Sequence, residues 1–323
     1  MVFWRKKKNP PVVACYGKLP ATGDFVRMNA TAPENATYDQ WLGGSVHMAK
    51  ESLGERFDAC YESAAGVFVY RGQAEKGEEP ERGMVGVWAS SGDSAGRRYP
   101  MTLSTCYDYE ELLAVGPALP VAVWNFLAAA YDLCVGGRGM PVDAFLGRVA
   151  QLSPIPLTDP DAMVAGYQRS LHTHTMRSLW ETTFGDVGAR YAVLHQIQAT
   201  VEIFRGQELP ETALAIRFPI LAGDTFAAAV WTDITLRLGG WDRTVLNSFW
   251  TPQHDLMLHI GSPHVGTFRE LIVNGSDAEH VTDLVSMQPP DEATARQALG
   301  SPVAELADDP NQTIAAFLDG LKR

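Results

Sequence analysis

Met84-Val85-Gly86-Val87-Trp88-Ala89 runs without a charge into Ser90-Ser91-Gly92-Asp93-Ser94-Ala95-Gly96-Arg97-Arg98-Tyr99-Pro100, and the reading of this stretch decides the fold. An earlier stretch has the same build: Val12-Val13-Ala14-Cys15-Tyr16 leads into Gly17-Lys18-Leu19-Pro20-Ala21-Thr22-Gly23-Asp24-Phe25. Short apolar runs bounded by glycine and proline are buried strands. Glycine opens φ values closed to other residues, whereas Pro20 and Pro100 fix φ at about −65° and remove a donor. If both strands share a sheet, Asp24, Asp93, Arg97 and Arg98 emerge at the same end of it.

Working outward, Phe25-Val26-Arg27-Met28 continues as a short extended piece. Thr37 with Gln40 has the form of a capping box, and Tyr38, Trp41, Leu42, Val46, Ala49 and Leu53 keep helical spacing behind it. Val67–Tyr70 reads as a strand buried on both faces, joined to Met84 by a long, mobile, charged connection at Gln73–Gly83. Tyr99, Met101, Leu103, Thr105 and Tyr107 alternate as a further strand. Leu119–Val135 is apolar nearly all round, as in a core helix, and a shorter helix spans Val142–Ala150.

Three prolines between Ser153 and Pro160 mark a boundary. Beyond it, Asp159-Pro160 caps a helix, and a second helix, Tyr191–Phe204, is expected to lie against it. Leu214–Ile220, Val245–Trp250 and Leu256–Ile260 read as strands, Ala222–Leu238 as a helix, with further helices near Val265 and Asp291 and a last one capped by Asp309-Pro310. The fold class is α/β, of the α+β type, in two lobes, each a small, mainly antiparallel sheet covered by helices. The divisions are a basic tail (1–11), an N-terminal α/β domain (12–153) and a C-terminal α/β domain (160–323).

A net charge of −12 over 323 residues argues against nucleic acid as a partner. Arg5-Lys6-Lys7-Lys8 is a short basic cluster that would hold a membrane surface only weakly. Residues 1–16 lack a signal-peptide h-region, and the most apolar segment, Leu112–Val135, is interrupted by Pro117 and Pro120, so a cytoplasmic protein is expected. Four cysteines without CxxC or metal spacing read as buried thiols.

Several chemistries can be weighed against these residues. Gly92–Arg97 is too short for a phosphate-binding P-loop and has no lysine. A serine hydrolase of the GDSL type is an alternative: Gly92-Asp93-Ser94 resembles its nucleophile block, and Asp277 with His280 supplies the D-x-x-H spacing. Against it stand Ala95 in place of leucine and the block's position well inside the chain. His172 with His174, and His254 with His259, are read as solvated or singly hydrogen-bonded rather than as metal ligands, with His259 on the less apolar side of its strand. No cofactor is expected. The remaining candidates are the loop residues themselves. Asp24 and Asp93 accept turn N–H groups, with Arg97 and Arg98 paired to them or displaying guanidinium forks to a partner.

At these residues the chain resembles the TagF (ImpM) family of bacterial type VI secretion-associated proteins. The pattern G-K-L-P-x-x-G-D-F-V is met by Gly17, Lys18, Leu19, Pro20, Gly23, Asp24, Phe25 and Val26. The pattern S-x-D-x-x-G-R-x-[FY]-P is met by Ser91, Asp93, Gly96, Arg97, Tyr99 and Pro100. The resemblance implies a non-enzymatic, post-translational repressor of secretion-system assembly, bound to a forkhead-associated-domain scaffold or another secretion component. A structural accessory subunit of the apparatus is the remaining alternative. The contact residues would then lie among Gly17, Lys18, Pro20, Gly23, Asp24, Phe25, Asp93, Gly96, Arg97, Arg98 and Pro100.

Overall fold

In the computed structural model, which describes residues 10–72, 80–206, 213–241, 244–252, 255–273, 275–276 and 278–321, the strands of both halves lie in one sheet. The basic cluster at 5–8, most of the connection after Gln73, His254 and Asp277 fall outside the described residues. The N-terminal half runs β1 (Ala14–Lys18), β2 (Phe25–Met28), α1 (Pro33–Leu53), α2 (Phe57–Tyr61), β3 (Ala65–Tyr70), β4 (Arg82–Ala89), β5 (Met101–Asp108), α3 (Tyr109–Val115), α4 (Leu119–Ala122), α5 (Trp124–Gly136) and α6 (Val142–Val149). The C-terminal half continues with α7 (Pro160–Thr173), α8 (Met176–Phe184), α9 (Arg190–Val201), β6 (Leu214–Phe218), α10 (Thr225–Gly239), β7 (Asn247–Trp250) and β8 (Leu256–Ile260). It ends with α11 (Thr267–Ile272), β9 (Val281–Asp283), α12 (Glu292–Leu299), α13 (Ser301–Ala307) and α14 (Ile314–Gly320).

The chain is of the α+β type, but the two sheets expected from the sequence are one. The strand order is β2-β1-β5-β4-β3-β7-β8-β6-β9, antiparallel except for the β6–β9 pair. The halves join where β3 pairs β7, with Phe68 opposite Phe249 and Val67 opposite Trp250. Every residue of both strands is buried, as a central position demands.

Side chains alternate across this sheet. Val67, Val69, Leu103, Leu256, Leu258 and Ile260 enter a core beneath α3–α10 and α12–α14. Phe68, Tyr70, Met84, Trp88, Phe249 and Met257 face α1, α2 and α11. On this second face Tyr38 stacks on Phe68 at 4.4 Å and Trp41 lies 4.9 Å from Phe249. Each such aromatic, fully buried, contributes roughly 2–3 kcal/mol.

Helix ends show where local signals misled. Helix α1 starts at Pro33, whose missing N–H costs nothing at the first turn, and the Thr37 hydroxyl donates to the Glu34 carbonyl instead of capping. The apolar stretch 119–135 is broken at Val123, with a 57° bend between Tyr109–Ala122 and Trp124–Gly136. Asp159 does cap α7, accepting from the Ala162 N–H, whereas α14 is capped by Thr313 rather than by Asp309-Pro310. Helix α9 packs on α12 and α10 rather than on α7, which meets α14 and α3. Helix α8 and strand β9 had no counterpart in the sequence reading.

Candidate functional site

Strand register fixes where the two motif loops emerge. Ala89 pairs Met101, Tyr16 pairs Thr102 and Lys18 pairs Phe25, so the loop after β1 and the loop after β4 leave the same end of the sheet from the two strands that flank β5. Gly17 is at φ +149°, and a Cβ there would lie 2.3 Å from the Pro100 carbonyl oxygen. No other residue fits where β1 passes the end of the second loop.

The loops are then tied together by charge. Lys18 and Asp93 are both buried, and Lys18 Nζ pairs with Asp93 Oδ2. Arg97 Nε donates to the same oxygen at 2.7 Å, while the Ala95 and Arg97 backbone N–H groups donate to Oδ1 at 3.0 and 2.9 Å. The Lys18 ammonium above all, with the Arg97 and Ala95 donors, holds the Asp93 carboxyl far below the usual carboxylate range against the opposing effect of burial. Three further bonds cross from one loop to the other: Arg97 Nη2 to Gly23 O (2.7 Å), Ser94 N to Thr22 O (2.9 Å) and Ser91 Oγ to Lys18 O (2.7 Å). From α2, the Tyr61 hydroxyl accepts the Ser91 N–H and donates to the Ser91 carbonyl.

The candidate residues divide accordingly. Gly17, Lys18, Gly23, Asp93, Gly96, Arg97 and Pro100 build the corner, Gly96 taking its turn at φ +80°. Arg98 turns away to Asp58 (2.9 Å), a partner on α2 that the sequence did not suggest. Pro20 and Asp24 are exposed, and the Asp24 carboxylate makes no ion pair among the described residues. Phe25, 43 % exposed, stacks on Tyr16 at 5.1 Å and meets Tyr99 edge-on at 5.1 Å, with Lys18 Nζ 4.7 Å from its ring centroid. Tyr99 in turn bonds Asp39 on α1. The corner therefore presents Phe25, Asp24 and the exposed, already paired guanidinium groups of Arg97 and Arg98 over a buried Lys18–Asp93 pair.

Ser94 and His280 are not brought together. Ser94 leaves β4 at the motif end of the sheet, whereas His280 precedes β9 at the opposite end. Five strand spacings also separate β4 from β9, roughly 24 Å. His259, expected on a solvated face, is instead 0 % exposed with no partner on either ring nitrogen. His174 does make the expected local bond, to the Ser170 carbonyl at 2.9 Å. Among the described residues no group of three or more His, Cys, Asp or Glu side chains is placed to hold a metal ion. Cys15, Cys106 and Cys134 are buried free thiols, and burial pushes Cys15 up to about 12.

The family model of the TagF N-terminal domain, type VI secretion system-associated, matches residues 14–152. Residues 14–152 are a TagF N-terminal domain. Both motif loops and strands β1–β5 lie inside it, so the resemblance drawn from Gly17–Val26 and Ser91–Pro100 stands, and the matched domain is one associated with type VI secretion. A crystal structure of PA0076 from Pseudomonas aeruginosa PAO1 is similar at 17 % identity and a TM-score of 0.47, over 86 % of this chain and 99 % of that one. No curated protein matches the chain significantly. Beyond the TagF domain, strands β6–β9 extend its sheet. No single described helix is long and apolar enough to cross a membrane.

Proposed function

We propose that this protein is a non-enzymatic, post-translational repressor of type VI secretion, acting in the cytoplasm. It binds a forkhead-associated-domain scaffold or another secretion component and holds it unassembled. The observation that carries this reading is the use of the motif charges. Lys18, Asp93 and Arg97 satisfy one another in stiffening two loops, and the surface they leave carries Phe25, Asp24, the half-buried Tyr99 and the exposed Arg97 side chain. Tyrosine and arginine are residue types enriched in binding hot spots. A preformed corner also avoids the ordering cost of binding.

Calorimetric titration of the purified scaffold into the wild type and into the Asp24→Ala, Phe25→Ala double variant tests the proposal. Affinity is expected to fall at least tenfold in the variant, with secretion released in cells that carry it. Unchanged affinity excludes the corner as the contact. Stoichiometric retention of the protein in the purified, fired apparatus points to a structural subunit instead.

A further inference from the structure

Between the sheet and α11 the fold buries polar side-chain atoms that find no hydrogen-bond partner among the described residues. His259 on β8 lies edge-on to Phe249, opposite Asn247 on β7 and Ala215 on β6, with both ring nitrogens unbonded. The rings of His264 and His280 face each other with centroids 4.1 Å apart. His280 Nε2, Glu270 Oε2 and Thr267 Oγ1 are also buried and unpartnered. The titratable and charged groups around this space, among the described residues, are His259 from β8, His264 from the loop before α11, Arg269 and Glu270 from α11, and His280 from the turn before β9. Helix α1 contributes Trp41, whose indole N–H donates to the His264 carbonyl at 3.2 Å.

Burial disfavours a charged imidazole most at His259, the fully enclosed member of the three. Burial first, then the neighbouring His280 and His264, pushes His259 down to about 3. Burial and His264 also push His280 down, with Glu270 opposing. The cover over the cluster is slight: α11 has six residues, and β9 is a three-residue edge strand, only half-buried. Short elements at a sheet edge occupy the low end of local stability. Helix α1, to which α11 is fastened through Trp41, also carries Asp39, the partner of Tyr99 at the motif corner.

We propose that the His259–His264–His280 cluster is a proton-operated latch, in which proton uptake opens α11, its leading loop and β9, and releases α11 from α1 while the rest of the sheet stays folded. An opened histidine titrates with its ordinary pKa of about 6.5, whereas closed His259 and, more weakly, His280 resist protons. The opening constant therefore rises as pH falls below that value. Between pH 7.5 and 5.5 His259 multiplies opening roughly tenfold, and His280 adds a smaller factor.

Hydrogen exchange of the full chain at the two pH values, corrected for intrinsic chemistry, tests the latch. Peptides covering 261–272 and 278–283 are expected to gain more than tenfold in opening, and those from β4 and β5 to change less than threefold. His280→Asn is expected to reduce the gain to about tenfold. Exchange in α11 that ignores pH, or that rises equally with β4 and β5, overturns the proposal, as does an undiminished gain in His280→Asn. Should that variant fail to fold, the wild-type contrast between α11 and β4–β5 decides alone.

Discussion

The motif corner and the histidine cluster place buried polar groups on the same sheet and treat them oppositely. At the corner, Asp93 accepts from Lys18 Nζ, Arg97 Nε and two backbone N–H groups, so a buried charge is fully compensated. In the cluster, neither ring nitrogen of His259 has a hydrogen-bond partner among the described residues, and Glu270 keeps one oxygen unbonded. A buried polar group left unpartnered costs more than one whose hydrogen bonds are made, so the first arrangement stiffens two loops and the second stores a sensitivity. The pH windows separate as well. Asp93, an acid with its pKa depressed, contributes stability that is complete above about 3.8 and lost only as pH falls below that. His259, a base with its pKa depressed, contributes stability that is complete above about 6.5 and lost as pH falls from there toward about 3.

The contrast can be broken at four points. The largest expected effect is at the corner. Asp93→Asn strands the Lys18 ammonium in a buried site, and the thermal midpoint is expected to fall on the order of 10 °C; a fall of only a degree or two means that the pair is not a buried weld. Next comes Gly17→Ala, which drives a Cβ into the Pro100 carbonyl and is expected to cost roughly 1–3 kcal/mol in urea unfolding. Acidification from pH 7 to 5 is expected to remove about 2 kcal/mol through His259 alone, read as a shift of the urea midpoint. His259→Phe, which deletes both unbonded nitrogens, should flatten that dependence while leaving stability at pH 7 within about 1 kcal/mol. Smallest is Phe25→Ala, expected to change stability by less than about 0.5 kcal/mol, because that ring lies on the surface. Its effect belongs in binding.

The corner was legible in the sequence because glycine, proline and aspartate at fixed spacing constrain backbone shape locally. The convergence of the two loops followed from placing their strands in one sheet, and register bears it out. What the sequence hid was long-range. Val67–Tyr70 and Val245–Trp250 are short and largely apolar, so each announces a buried strand without naming its neighbour, and the β3–β7 junction that merges the sheets stayed invisible. Strand β9 is too short for periodicity to register, and α8 lies between two helices already assigned. Arg98 found Asp58, and Ser91 found Tyr61, both on α2, forty and thirty residues away along the chain. Alternation did place His259 opposite Leu258 and Ile260, but the same pattern is silent on whether a helix covers the second face, and α11 does.

A double-mutant cycle at the corner tests most directly whether the motif charges serve to join the loops. Adding Lys18→Met to Asp93→Asn removes the stranded cation while keeping an acceptor for the Ala95 and Arg97 N–H groups. The account predicts that the double variant regains most of the thermal midpoint lost by Asp93→Asn alone. Losses that simply add, leaving the double variant less stable than either single one, would contradict it.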